Sequence, residues 1–149
     1  KNFVYVTDSS TTASKVAAFT MDPATGVLTP VAGSPIATGG AFAQGGKVDP
    51  TGKFLYVANN NNNAAGSIAV FSIDQGTGAL TAISGSPFAT PAGPTILVMD
   101  PSGQYAYSVN TAANNITSYT VNTTTGALTL ASTVAAGTAP RFPELFGLQ

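Results

Sequence analysis

Lys53-Phe54-Leu55-Tyr56-Val57-Ala58-Asn59 is dense in aromatic and β-branched side chains and predicts a β-strand. Its centre recurs. Tyr5-Val6-Thr7-Asp8 lies fifty-one residues before Tyr56-Val57-Ala58-Asn59, and Tyr107-Ser108-Val109-Asn110 lies fifty-one residues after it. A period of this length marks an array of supersecondary units, none of which buries its apolar faces alone. The three copies fill the chain as one segment, roughly 1–52, 53–103 and 104–149.

Outward from Tyr56, the Asn-rich residues 59–63 and Ala64-Ala65-Gly66 predict a solvated loop, and residues 67–74 a second strand. Gln75-Gly76-Thr77-Gly78 predicts a turn, followed by a short strand over 79–83 that ends at Gly85-Ser86-Pro87-Phe88. Pro94-Thr95-Ile96-Leu97-Val98-Met99 reads as a fourth strand, buried on both faces by its near-continuous apolar character. Asp100-Pro101-Ser102-Gly103 is a type I turn signature leading into the next tyrosine strand. Asp49-Pro50-Thr51-Gly52, Thr25-Gly26-Val27-Leu28-Thr29, Thr125-Gly126-Ala127-Leu128-Thr129 and Gly33-Ser34-Pro35-Ile36 repeat the same punctuation. No segment has sustained helical periodicity. Four short antiparallel strands per copy predict an all-β protein built of β-propeller blades, about three in this chain.

The tyrosine strands, the Asp-Pro-Thr/Ser-Gly turns, the Thr-Gly-x-Leu-Thr turns and the Gly-Ser-Pro strand ends together resemble the YVTN-type β-propeller repeats. That group is related to the seven-bladed lactonase-like (6-phosphogluconolactonase-like) propellers. The resemblance covers nearly the whole chain and implies the fold more specifically than any activity. Its phase implies a start on the second strand of a blade and an inner strand over 138–146 aligned with the one at Pro94. Three blades do not close a ring, which typically needs about four to eight. The expectation is therefore a fragment of a larger propeller, or half of a dimeric six-bladed ring. The expected partners are further blades or a second copy.

Composition bounds the chemistry. Only 7% of residues are charged, with five Lys and Arg against six Asp and Glu, so no basic surface for nucleic acid is expected. Apolar runs are far shorter than a membrane span, and membrane insertion is not expected. Cysteine and histidine are absent, which removes disulfides, the commonest zinc ligands and a Ser-His-Asp triad. No cofactor and no metal are expected. Asp22, Asp49, Asp74 and Asp100 recur in register, each at the start of a turn where its carboxylate bonds backbone two residues on. Sparse charge with much Asn, Thr and Ser points to a secreted or cell-surface protein. Tyr5, Tyr56 and Tyr107, at one point of three repeats, are expected to pack between blades with their hydroxyls at a sheet edge.

The candidate ligand-binding residues are Arg141, Gln44 and Thr95, which occupy one position of three successive inner strands facing the central channel. In the lactonase-like relatives a Pro-Arg-His motif stands there, with Arg and His facing the channel. This chain keeps Pro140-Arg141 and has Phe142 in place of that histidine. Lactone hydrolysis needs an activator for water and a donor for the oxyanion. With the histidine missing, the expectation is a non-catalytic extracellular or cell-surface propeller module for binding or assembly. The alternative is a lactonase-like hydrolase acting on a sugar lactone.

Overall fold

The computed structural model describes residues 2–141, 143 and 144, and within them the Asp and Gly turns fold neighbouring segments into three antiparallel sheets. The first holds β1 (Asn2–Thr7), β2 (Lys15–Met21), β3 (Leu28–Pro30) and β4 (Ile36–Ala37). The second holds β5 (Ala43–Val48), β6 (Phe54–Asn59), β7 (Ala65–Ile73), β8 (Leu80–Ala82) and β9 (Phe88–Ala92). In the third, β10 (Pro94–Met99), β11 (Tyr105–Asn110), β12 (Asn115–Val121) and β13 (Leu128–Ala135) pair in simple succession. Each sheet is one propeller blade, so the all-β expectation holds.

The outer layer differs from the expected single short strand. β3 and β4 divide the outer edge of β2 between them, and β8 and β9 divide that of β7. Residues 88–92 extend the sheet because buried Thr90 is satisfied there, its Oγ1 lying 3.2 Å from Asn110 Oδ1 and 3.2 Å from Ser108 Oγ.

β6 explains the packing. It is buried along its whole length, and alternation sends its side chains to two different cores. Phe54, Tyr56 and Ala58 join Ile68, Val70, Leu97, Met99, Ala106, Tyr119 and Leu128 between the second and third blades. Leu55 and Val57 join Val16, Ala43, Ala69, Phe71 and Ile73 between the first and second. The tyrosines tie neighbouring blades together. Tyr5 Oη donates to Gly78 O and Tyr56 Oη to Gly126 O, each at 3.0 Å, so both hydroxyls reach the outer turn of the following blade.

Two expectations need correction. β10 is not buried on both faces: Leu97 and Met99 are buried against the second blade, while Thr95, Ile96 and Val98 are half-exposed on the other side. Residues 138–141, 143 and 144 form no strand, because no strand of the described residues runs beside them to accept ladder bonds. The rest of the expected 138–146 strand, Phe142 and residues 145–146, lies outside the described residues.

Candidate functional site at the loop end of the inner strands

The two ends of the blades are built differently. At one end the chain reverses through short turns that Asp and Asn side chains hold. Asp49 accepts from Thr51 N and Phe54 N at 3.0 and 2.7 Å, and Asp100 from Ser102 N and Tyr105 N at 3.1 and 2.8 Å. Asp22 accepts from Ala24 N and Thr25 N, and Asp74 from Gly76 N and Thr77 N. These carboxylates act as expected from the sequence. The Asp22 carboxyl lies below the usual carboxylate range because of the Ala24 and Thr25 N–H groups.

The opposite end carries the strain. Among the described residues, the non-glycine positions with positive φ are Phe42, Asn61, Asn62, Asn63, Asn114 and Ala139, and all lie in the loops before the inner strands or between second and third strands. Left-handed backbone costs an L-residue roughly 1–2 kcal/mol, least for Asn, and such outliers concentrate at functional surfaces. The Asn tract is the solvated loop read from the sequence only in part, with Asn62, Asn63, Ala64 and Ala65 exposed. Asn59 and Asn60 are buried. Asn60 N and Asn61 N donate to Phe42 O and Ala41 O, Asn61 Oδ1 accepts from Ala41 N, and Asn60 Nδ2 reaches Pro94 O at 3.5 Å. The tract thus clamps the entry to β5 and touches the entry to β10. A run of Asn is the signal for this, since Asn is among the non-glycine residues most enriched at positive φ, its short polar side chain bonding locally.

Both complete inner strands are bulged here. β5 takes three steps from Ala43 to Gly46 while β6 takes two from Asn59 to Val57, so one extra residue sits at Gln44-Gly45. β10 takes two steps from Pro94 to Ile96 against one on β11, which makes Thr95 the extra residue. Bulges re-aim side chains and recur beside active sites. Two of the three residues picked out by the sequence thus stand at equivalent irregularities of adjacent strands.

Gln44 is exposed. Its Nε2 donates to Phe42 O at 3.3 Å, and its carbonyl accepts from Thr7 Oγ1 at 2.6 Å. Thr95 Oγ1 lies 3.0 Å from Thr111 Oγ1, which donates to Pro140 O at 2.9 Å. A chain of hydroxyls and a carbonyl therefore links Thr95 to the residue before Arg141. Arg141 is exposed, off any strand. The structure brings Thr95 and the Pro140-Arg141 step together and leaves Gln44 one inner strand away. Thr111 went unnoticed in the sequence because it lies past the strand end in a Thr-rich chain. Together these groups offer an amide, two hydroxyls and a guanidinium, a set suited to polyhydroxylated or anionic ligands.

A family described as "Lactonase, 7-bladed beta-propeller" matches residues 13–142. A 6-phosphogluconolactonase of Formosa agariphila is 38% identical over 81 residues, covering 54% of this chain and 22% of that protein. A solved structure assigned as a 6-phosphogluconolactonase from Bacteroides fragilis superposes with a TM-score of 0.80 at 22% identity, covering 93% of this chain and 37% of its own. A second, from Bacteroides uniformis, gives a TM-score of 0.80 at 24% identity and covers 93% and 38%. The chain thus spans well under half the length of these relatives. The family match and the Formosa relative correct the expectation of a non-catalytic binding or assembly module, since both are named as lactonases.

Proposed function

Because this chain belongs to the seven-bladed β-propeller lactonase family, we propose that it contributes blades of a propeller that hydrolyses a sugar lactone. The observation that carries this reading is the pair of bulges that set Gln44-Gly45 and Thr95 at the strained end of adjacent inner strands, with Pro140-Arg141 beside Thr111. Gln44, Thr95 and Thr111 bond the hydroxyls of the sugar. Arg141 holds its anionic substituent or the oxyanion formed when water attacks the ring carbonyl, a role that a guanidinium fills without losing its proton. The tyrosine strands, recurring at fixed spacing with Tyr-Val in two of three copies, support the finer assignment to the YVTN-type repeats. The sparse charge supports export from the cell.

Proton release at fixed pH from gluconolactone and its 6-phosphate, measured against spontaneous hydrolysis, tests this. The expected result is catalysis by the protein and a KM raised roughly tenfold in Arg141→Ala, as for loss of one charged hydrogen bond, more for the phosphorylated lactone. Rates equal to buffer for both lactones would sink the reading.

A further inference from the structure

The step into each inner strand is left-handed. Phe42, Gly93 and Ala139 stand immediately before Ala43, Pro94 and Pro140, with φ of +50°, +68° and +50°. Glycine adopts such a backbone freely and alanine does not, so Ala139 keeps it only because its neighbours hold it there.

At the first two steps backbone groups do the holding. Phe42 N donates to Ser10 O at 2.8 Å, and Phe42 O accepts from Asn60 N at 3.1 Å. Gly93 N donates to Ala64 O at 3.1 Å, and Gly93 O accepts from Thr111 N at 2.9 Å. The third step is held by side chains instead. Ala139 N donates to Asn114 Oδ1 at 2.7 Å, and Pro140 O accepts from Thr111 Oγ1 at 2.9 Å. Asn114 O also accepts from Ala136 N at 3.0 Å, so this one residue grips the approach to Arg141 at two points.

The exchange of backbone for side chain follows from loop length. Residues 60–64 join β6 to β7, whereas residues 111–114 join β11 to β12 and are one residue fewer. Where the longer loop presents the Ala64 carbonyl, the shorter one presents the Asn114 carboxamide. Asn114 is itself left-handed, with φ of +55°, a conformation that Asn tolerates. Pro140 then has its φ fixed by its ring and its carbonyl fixed by Thr111, so the direction in which the chain enters Arg141 is set from Ala139 onward.

We propose that Asn114 is a positioning residue for Arg141: its carboxamide locks Ala139 in the left-handed conformation and thereby sets where the guanidinium stands. The chemistry that Arg141 serves rests on the lactonase reading; the source of its placement, a side chain of the third blade outside the binding set, goes beyond that reading.

Asn114→Gly and Asn114→Asp test it, with circular dichroism as the control for folding. Glycine accepts the positive φ but deletes the acceptor, whereas aspartate tolerates the conformation and keeps an acceptor for Ala139 N. With the 6-phosphate of gluconolactone, Asn114→Gly is expected to raise KM by about tenfold, as Arg141→Ala does, and Asn114→Asp to stay within about twofold of the unmodified protein. Added to Arg141→Ala, Asn114→Gly should change nothing further, because a residue that acts only through another has no effect once that one is gone. A KM unmoved by Asn114→Gly, or raised equally with and without the guanidinium, would overturn the proposal. Arg141 is the only arginine of the 149-residue chain, which gives a second readout that needs no turnover. Isotope labelling of arginine alone yields a single backbone amide signal by NMR, expected to shift in Asn114→Gly and to keep its place in Asn114→Asp. An unmodified protein without lactone hydrolysis removes the lactonase reading and leaves the NMR comparison to decide the positioning role. An Arg141 signal that stays put in folded Asn114→Gly overturns that role.

Discussion

Tyr56 and Tyr119 show how one hydroxyl can act in opposite directions. Both rings are buried in the core between the second and third blades. Burial pushes the Tyr56 phenol far above its ordinary range, with the Asp49 charge adding to the effect, so it stays protonated and donates to Gly126 O. Tyr119 Oη is buried and finds no hydrogen-bond partner among the described residues, while Phe71 and Phe19 fill its place in the other copies. Tyr56→Phe should therefore lower stability by about 1 kcal/mol, the net worth of a typical hydrogen bond. Tyr119→Phe should raise it by about 1 kcal/mol, since an unsatisfied buried hydroxyl is removed. Urea midpoints of the two variants measure both, and a shared sign would contradict the assignment. Gly126→Ala combines a φ of +78° with the overlap on Phe54, and should cost about 3 kcal/mol in the same titration.

The elements divide into those that local chemistry writes and those that pairing writes. The Asp-Pro-x-Gly turns belong to the first kind. Burial raises the Asp100 carboxyl, but hydrogen bonds from Ser102 and Tyr105 outweigh it and leave the group below the usual carboxylate range. A depressed folded pKa gives stability that is present above the unfolded value, about pH 4, and is lost as pH falls through the folded value. Unfolding in urea at pH 7 and pH 3 should show that loss. Asp100→Asn should reduce it by less than about 1 kcal/mol, because the carboxyl is largely solvated. Such turns were legible in the sequence, as were the tyrosine strands and the position of Gln44 and Thr95. The split outer strand was not, because β9 exists through partners on β7 and through Thr90 meeting Asn110, contacts remote in sequence. The bulges were equally hidden, since an extra residue in β5 or β10 appears only when it is counted against the neighbouring strand.

For the whole molecule, a linear array of blades makes stability a matter of neighbours. β6 and β7 are packed on both sides, whereas β3 is exposed along its length and β4 is two residues long. Hydrogen exchange followed by mass spectrometry should therefore find the slowest amides in β6 and β7 and the fastest in β3 and β4. Equal protection across the three sheets would refute this order. The hooks between blades also bear on how the chain is made. Tyr56 and the carbonyl it meets are 70 residues apart. At a synthesis rate of about 5–20 residues per second, the tyrosine leaves the ribosome roughly 4–14 seconds before its acceptor is made. The first two blades are thus each finished by a successor, and until that successor is made their aromatic faces stay uncovered.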